Sequence, residues 1–313
     1  MKVFVTGGTG QTGPTVVSEL IRNGHTVTGL ARSERAADVL SGLGATPHEG
    51  SLDDLDSLRR GAEASDGVLH MGYGGDYADP EALIRRDRQA IEALGSALVG
   101  TGKPLVSTSG TLVMATGRIT TELDAPDPGS IAAFRIAGEH ACLGLGESGV
   151  RASVVRLAPT VHGPRDHGFI PALIAAARRA GVSAYIGDGL NRWPAVHRAD
   201  AAVLFRLALE NAPVGSVLHG VGECAVTIKS IAEQIGHLLQ IPTVSLTVDE
   251  AAEHLGNPFL AKFFSLDTPV SSQHTRALLN WTPTHPGLLE DLATSDYLDP
   301  TASHRAEETW LRH

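Results

Sequence analysis

The stretch Thr6-Gly7-Gly8-Thr9-Gly10-Gln11-Thr12-Gly13 constrains this chain more than any other feature. It follows the apolar run Val3-Phe4-Val5, which has strand length, and it precedes Pro14, whose missing amide hydrogen is harmless in the first turn of a helix. A strand, a glycine turn and a helix in that order leave free backbone amides at the helix N-terminus, where they attract an anion. The first glycines permit the tight turn, Gly10 admits a pyrophosphate to the backbone, and Gly13 lets the helix lie close on the strand. Gly7, Gly10, Gln11, Thr12 and Gly13 are therefore expected to touch a dinucleotide.

A site for the unphosphorylated ribose carries an acidic residue about 20 positions further on, at the end of the second strand. Here that end reads Thr28-Gly29-Leu30-Ala31-Arg32-Ser33, without a carboxylate. Arg32 and Ser33 instead offer charge-assisted bonds to a 2'-phosphate, so the expected cofactor is NADP(H), favoured over NAD(H). A solvated loop position is the alternative for Arg32.

Strand-length apolar runs alternate with stretches of helical period: Thr26 to Ala31, Gly67 to Met71, Pro104 to Ser107, Arg151 to Leu157 and Ser216 to Gly220 against Pro14 to Asn23, Ala36 to Leu43, Pro80 to Val99 and Ile131 to Gly146. The rhythm predicts an α/β fold, a Rossmann-type doubly wound parallel sheet with a smaller C-terminal substrate lobe. Residues 1–160, completed by roughly 195–222, read as the dinucleotide domain; 161–194 and 223–313 read as the lobe. Gly24, Gly61, Gly102 and Gly149 mark expected helix ends, and Ala158 to Phe169 a long functional loop. Helices are expected over Thr227 to Leu239 and Thr247 to Leu255, with irregular segments beyond Trp281.

A formal charge of -10, with no basic blocks, argues against nucleic acid as a partner. No stretch has the roughly 18 apolar residues of a membrane span, and Met1-Lys2-Val3 runs straight into a strand, so a cytoplasmic location is expected. Cys142 and Cys224 are far apart and read as small buried hydrophobes. The 14 histidines lack ligand-like spacing, and no metal is expected. A small-molecule substrate is the expected partner; homodimerisation is left open.

The motif Thr6-Gly7-x-x-Gly10-x-x-Gly13 resembles the signature of the short-chain dehydrogenase/reductase superfamily, in its extended and atypical branch of epimerases and dehydratases. The resemblance extends through most of the chain. By it, Ser51, Leu52 and Asp53 meet the adenine, with a helix N-cap as the other reading of Asp53. His70, Met71 and Gly72 pass the cofactor ribose, although His70 reads equally as a packed strand residue. Ser107 and Pro159 border the nicotinamide. Ser109, at the end of Val106-Ser107-Thr108-Ser109-Gly110-Thr111, takes the position of the catalytic serine, with Thr111 facing substrate.

The superfamily then calls for Tyr-x-x-x-Lys one helical turn apart, the lysine lowering the tyrosine's pKa. With Gly138-Glu139 as the register, those positions hold Ile131 and Arg135. Isoleucine transfers no proton, and Arg135 is a poor acid that can still bind ribose hydroxyls. An i,i+4 ion pair between Arg135 and Glu139 is the alternative. Substitute donors are sought at the rim: Tyr73, directly after the fourth strand, and His162 and His167 in the loop, each with substrate contact or packing as the plainer role. Phe169, Arg192 and Trp193 are expected to touch substrate, His197 and Asp200 to be structural, the latter as an N-cap.

Three functions fit this reading. The first is an NADP(H)-dependent oxidoreductase reducing a carbonyl or conjugated double bond of a small organic molecule. The second is a nucleotide-sugar epimerase or dehydratase, and the third a non-catalytic NADP(H)-binding sensor or scaffold.

Overall fold

The computed structural model describes residues 1–74, 79–294 and 297. The first half alternates strictly: β1 (Lys2–Thr6), α1 (Gly13–Arg22), β2 (Thr26–Ala31), α2 (Glu34–Gly42), β3 (Thr46–Glu49), α3 (Leu55–Glu63), β4 (Gly67–His70), α4 (Pro80–Ser96), β5 (Pro104–Gly110), α5 (Ile136–Gly144) and β6 (Arg151–Leu157). The second half is more mixed: β7 (Thr160–His162), α6 (Phe169–Ala180), β8 (Ser183–Ile186), β9 (Arg192–His197), α7 (Arg198–Asn211), β10 (Ser216–Gly220), β11 (Glu223–Thr227) and α8 (Ile228–Leu239). It ends with β12 (Thr243–Leu246), α9 (Val248–Leu255), α10 (Pro258–Phe264), α11 (Gln273–Leu279) and α12 (Leu288–Thr294).

Seven strands form one parallel sheet in the order β10-β6-β5-β4-β1-β2-β3. The chain winds outward from β1 to β3, then crosses back to lay β4 on β1's other side. The strand order reverses between β1 and β4, and a ligand crevice opens at the carboxyl ends of strands at such a point. Apolar runs such as Val3-Phe4-Val5 are buried completely because helices cover both faces. On one face α1 and α7 pack Val16, Leu20, Phe205 and Leu209; on the other α3, α4 and α5 pack Leu58, Ile91, Leu94 and Cys142.

A separate apolar core built on Trp193, Ile231, Ile235, Phe263 and Phe264 holds the smaller lobe together. A three-stranded sheet, β11-β9-β7, leads from the end of β6 into it, and β12 pairs with β8 beside it. The stretch Ala158 to Phe169 is thus not all loop, since Thr160–His162 is a strand paired with β9. The region beyond Trp281 likewise contains α12.

Gly61 does not end a helix. It lies inside α3, where a side chain would strike the Phe4 ring, so close packing explains this glycine. Gly149 does act as a stop, left-handed at φ 78° after the turn that follows α5.

One buried ion pair locks α5 to the sheet. Arg156 on β6 donates from Nε and Nη2 to Glu139 at 2.9 and 2.7 Å, with both side chains almost fully buried. The expected Arg135–Glu139 pair does not form, because Glu139 faces the sheet. Removing one member of such a pair strands the other charge without water. Glu139→Ala should therefore cost about 3–5 kcal/mol in urea unfolding; a loss below about 1 kcal/mol would show that Arg156 finds other partners.

Candidate functional site

The turn after β1 presses against the chain leaving β4. Gly7 sits at φ 71°, and a Cβ there would lie 2.6 Å from Gly72 N and from Met71 C. A Cβ on Gly13 would collide with the Gly7 carbonyl oxygen, whereas one on Gly10 would meet little besides that oxygen at 3.3 Å. The two closed glycines hold the turn in shape while Gly10 stays open. Thr12 begins α1 without a side-chain cap, so the first-turn amides are left for an anion.

Beneath this turn runs a buried polar relay. Gly72 N donates to Thr6 Oγ1 at 3.1 Å, and the same oxygen lies 2.8 Å from His70 Nδ1. His70 Nε2 is 3.3 Å from Asp87 Oδ1, and the other Asp87 oxygen is 3.6 Å from Arg135 Nη1. With Thr6 Oγ1 donating to His70 Nδ1 and His70 Nε2–H donating to Asp87, every group in the first three links is satisfied. Arg135 also donates from Nη2 to the Thr108 carbonyl, and its Cζ stands 3.6 Å over the Tyr73 ring. His70 is fully buried, so it serves this relay rather than touching a cofactor.

Three strands end side by side above the relay, β1, β4 and β5. Ser109 is 6% exposed at the end of β5, and its Oγ has no hydrogen-bond partner among the described residues; the same holds for Thr108 Oγ1, Thr111 Oγ1 and Arg135 Nη1. Buried hydroxyls without partners are rare enough to demand a reason, and a bound ligand supplies one. Phe134 stacks on Tyr73 at 6.2 Å, while Leu112 and Ile131 join this region to the apolar core of the smaller lobe.

Residues 3–219 match the sequence profile of the NAD dependent epimerase/dehydratase family. The chain belongs to that family. A Schizosaccharomyces pombe protein described as uncharacterised is 46% identical over 299 residues, covering 95% of this chain and all of its own length. A ketoreductase of Stigmatella aurantiaca, named for a farnesylated dihydroquinoline oxide, is 27% identical over 268 residues, covering 82% of this chain and 80% of the relative. The solved UDP-glucuronic acid 4-epimerase of Bacillus cereus with NAD superposes with a TM-score of 0.77 at 17% identity, over 96% of this chain and 100% of that one, a likeness of fold.

The family implies a nicotinamide dinucleotide, and the residues present fit one. The Gly7–Gly13 cradle leaves room where side chains would close it, and the orphan hydroxyls of Thr108 and Ser109 lie two strands away. Gly7, Gly10, Thr12, Gly13, Met71 and Gly72 line the cradle. Gln11 instead turns its amide outward, donating to Asp166 Oδ1 at 2.9 Å and to the Val161 carbonyl, which ties the turn to the loop after β7. Arg32 and Ser33 are exposed at the end of β2, with Ser33 also capping α2. Asp53 is not an N-cap: Asp54 caps α3, and Asp53 pairs with Arg86 at 2.7 Å while Arg86 also donates to Gly74 O. Ser51 Oγ accepts from Asp53 N, Leu52 approaches Gly72, and Ser107 is buried beside His70 on the neighbouring strand. Pro159 is half-buried beyond β6.

Several expected substrate residues are committed elsewhere. Trp193 is 1% exposed, stacked 4.8 Å from Phe264 and donating to Leu266 O, so it is core, not crevice. Phe169 joins the same aromatic cluster, 4.6 Å from Phe263. Arg192 is gripped by Asp267 through Nε at 2.9 Å and Nη2 at 2.8 Å. His162 is buried with Nδ1 2.8 Å from Asp291 Oδ2, a partner on α12 that makes it an internal clasp instead of a rim acid. His167 is half-buried, with Nδ1 3.4 Å from Arg165 O. Asp87, Arg86, Asp267 and Asp291 carried no motif in the sequence; the one available sign was a carboxylate at a core position of α4.

His197, Asp200 and His285 come together, with one potential ligand atom of each within 4.8 Å of the others. Their rings lie parallel, 4.7 Å apart at 4°, so in-plane nitrogen lone pairs do not converge. Asp200 instead accepts from Thr284 N, His285 N and His285 Nδ1, pinning the segment after Trp281, and His197, not Asp200, caps α7 through Ala199 N. Cys142, with its thiol pushed up to about 12 by burial, is inert.

Burial and the neighbouring His162 hold the His197 imidazole down at about 4; Asp291 and Asp200 oppose this, and His285 adds to it. Burial also lowers His219. Since the folded value lies below the ordinary 6.5, the native state is at full strength above pH 6.5 and loses stability as pH falls toward 4. The melting temperature should drop over that window, and less steeply in His197→Asn, which keeps an acceptor for Ala199. Identical pH slopes in the two proteins would remove His197 from the explanation.

Proposed function

We propose that this chain is an NADP(H)-dependent oxidoreductase that reduces a carbonyl or a conjugated double bond of a small organic molecule. The reading rests above all on Ser109, a buried hydroxyl with no partner among the described residues at the strand end beside the nucleotide turn. It can donate to a substrate oxygen as negative charge gathers there. NADPH, when bound, supplies a hydride from its nicotinamide ring. With the cofactor bound, the carbonyl oxygen of the substrate would take up the electrons of the opened π bond, Ser109 would donate to it and the Tyr73 hydroxyl would give it a proton. Tyr73 takes this role because Ile131 stands where the family's tyrosine would be, and because Arg135 lies against the Tyr73 face. Half-buried Leu112, Ile131 and Phe134 favour an uncharged, apolar compound.

Arg32 supports NADP(H) over NAD(H). It is exposed with no ion-pair partner among the described residues, and Arg35, also exposed, stands in the first turn of α2. Both guanidinium groups are free to meet a 2'-phosphate. The Stigmatella relative's description as a ketoreductase agrees with a carbonyl substrate. A nucleotide-sugar epimerase or dehydratase is less well supported, since it needs an efficient base where Ile131 stands, and Asp267 already neutralises Arg192. A sensor would bind the cofactor without transferring its hydride.

Calorimetry and isotope transfer test this. The wild type should bind NADPH at least about tenfold more tightly than NADH, a gap of roughly 1.4 kcal/mol that Arg32→Ala largely erases; equal affinities in the wild type would reject the NADP(H) assignment. Deuterium from C4-labelled NADPH should appear in the alcohol product, and Ser109→Ala should slow that transfer by about 100-fold. Tight binding with no transfer to any carbonyl would favour the sensor.

A further inference from the structure

We propose that Asp87 is the positioning residue of this site: it holds Arg135 over the Tyr73 ring, and Gly138 is a glycine to make room for its carboxylate. The effect on rate rests on the reductase reading above; the geometry does not.

Asp87 breaks the pattern of its own helix. The buried stripe of α4 runs through Leu83, Asp87, Ala90, Ile91 and Leu94, and at 5% exposure Asp87 occupies an apolar position with a charge. A carboxylate there is costly unless it is paired. Its two oxygens serve different neighbours, His70 at 3.3 Å and Arg135 at 3.6 Å. One connects downward to Thr6 and the nucleotide turn, the other upward to the tyrosine.

Arg135 is held from three sides, by the Thr108 carbonyl, by Asp87, and by the Tyr73 ring 3.6 Å from its Cζ. The Thr108 carbonyl alone holds one nitrogen and leaves the group free to swing about that bond; the charge attraction of Asp87, 3.6 Å from the other nitrogen, draws the guanidinium to the side where it lies over the ring. Lysine, a point charge, could not be oriented in this way.

Gly138 supplies an independent sign. A Cβ at this position of α5 would fall on Asp87 Oδ2, with Ile91 Cδ1 at 3.4 Å behind it. Two helices therefore cooperate: α4 brings the carboxylate and α5 leaves the space. A methyl group at 138 and an amide at 87 perturb the same atom from opposite sides, and they should give the same phenotype.

The test begins without cofactor or substrate. In the isotopically labelled protein, Arg135 side-chain protons should be displaced upfield by the Tyr73 ring, with Tyr73→Leu identifying the signal. Both Asp87→Asn and Gly138→Ala should lose that displacement. With NADPH and phenanthrenequinone as the carbonyl probe, both should lower kcat by about 10- to 100-fold while KM for the quinone stays within about twofold. Persistence of the upfield shift in both variants, or its absence in the wild type, would overturn the assignment. A shift lost in both variants of a protein whose wild type transfers no hydride would uphold the positioning and sink the reductase reading instead.

Discussion

The structure turns on the contact between the backbone after β1 and the backbone after β4. At Gly7 no side chain can be accommodated, because Gly72 N and Met71 C would lie 2.6 Å from a Cβ. That approach brings the two strands flanking the reversal of strand order into one surface, and it leaves the α1 amides facing outward. The hydrogen bond from Gly72 N to Thr6 Oγ1 secures the contact from below and passes it to His70. Nucleotide turn and buried relay are thus two faces of one joint.

Three charge pairs tie together segments of this protein that are distant in sequence. Arg156 is spent on Glu139, His162 on Asp291, and half-exposed Arg192 on Asp267. Each pair joins segments distant in sequence: α5 to β6, β7 to α12, β9 to the segment after α10. A buried pair of this kind adds little net stability over apolar packing, but it penalises any arrangement that separates its members. The pairs therefore specify how the segments they join pack against one another. They also leave few cations near the strand ends, where Arg135 keeps one nitrogen without a hydrogen bond among the described residues.

The sheet was legible in the sequence because its central strands carry apolar runs such as Val3-Phe4-Val5 and its turns are marked by glycine, a pattern that depends on local chain chemistry alone. The nucleotide cradle was legible for the same reason. Trp193 was misread because a tryptophan near a crevice and a tryptophan under it have the same neighbours in sequence; only the Phe263 and Phe264 rings, 70 positions on, decide between them. His162 was misread likewise, since its partner Asp291 is separated by 129 residues. Local rules read Gly61 as a helix end because they do not see the Phe4 ring on the sheet face that α3 covers. Asp87 lay in plain view as a charge in an apolar stripe, a signal that periodicity alone can detect and that motif matching passes over.

Ile131 and Arg135, standing where the family resemblance calls for tyrosine and lysine, belong to one arrangement. Isoleucine extends the apolar surface that Leu112 and Phe134 begin, and it joins the clusters on both sides of the crevice. Ile131 lies in the turn ahead of α5, and in the reading proposed above the hydroxyl comes from another element. Tyr73, at the exit of β4, stands at the same carboxyl edge as the end of β5, and arginine can reach its ring face while bonding to the β5 backbone. Lysine, with one compact ammonium, cannot do both. Once isoleucine stood at 131, arginine at 135, aspartate at 87 and glycine at 138 form a consistent set, because each fills a space or a charge that the others leave.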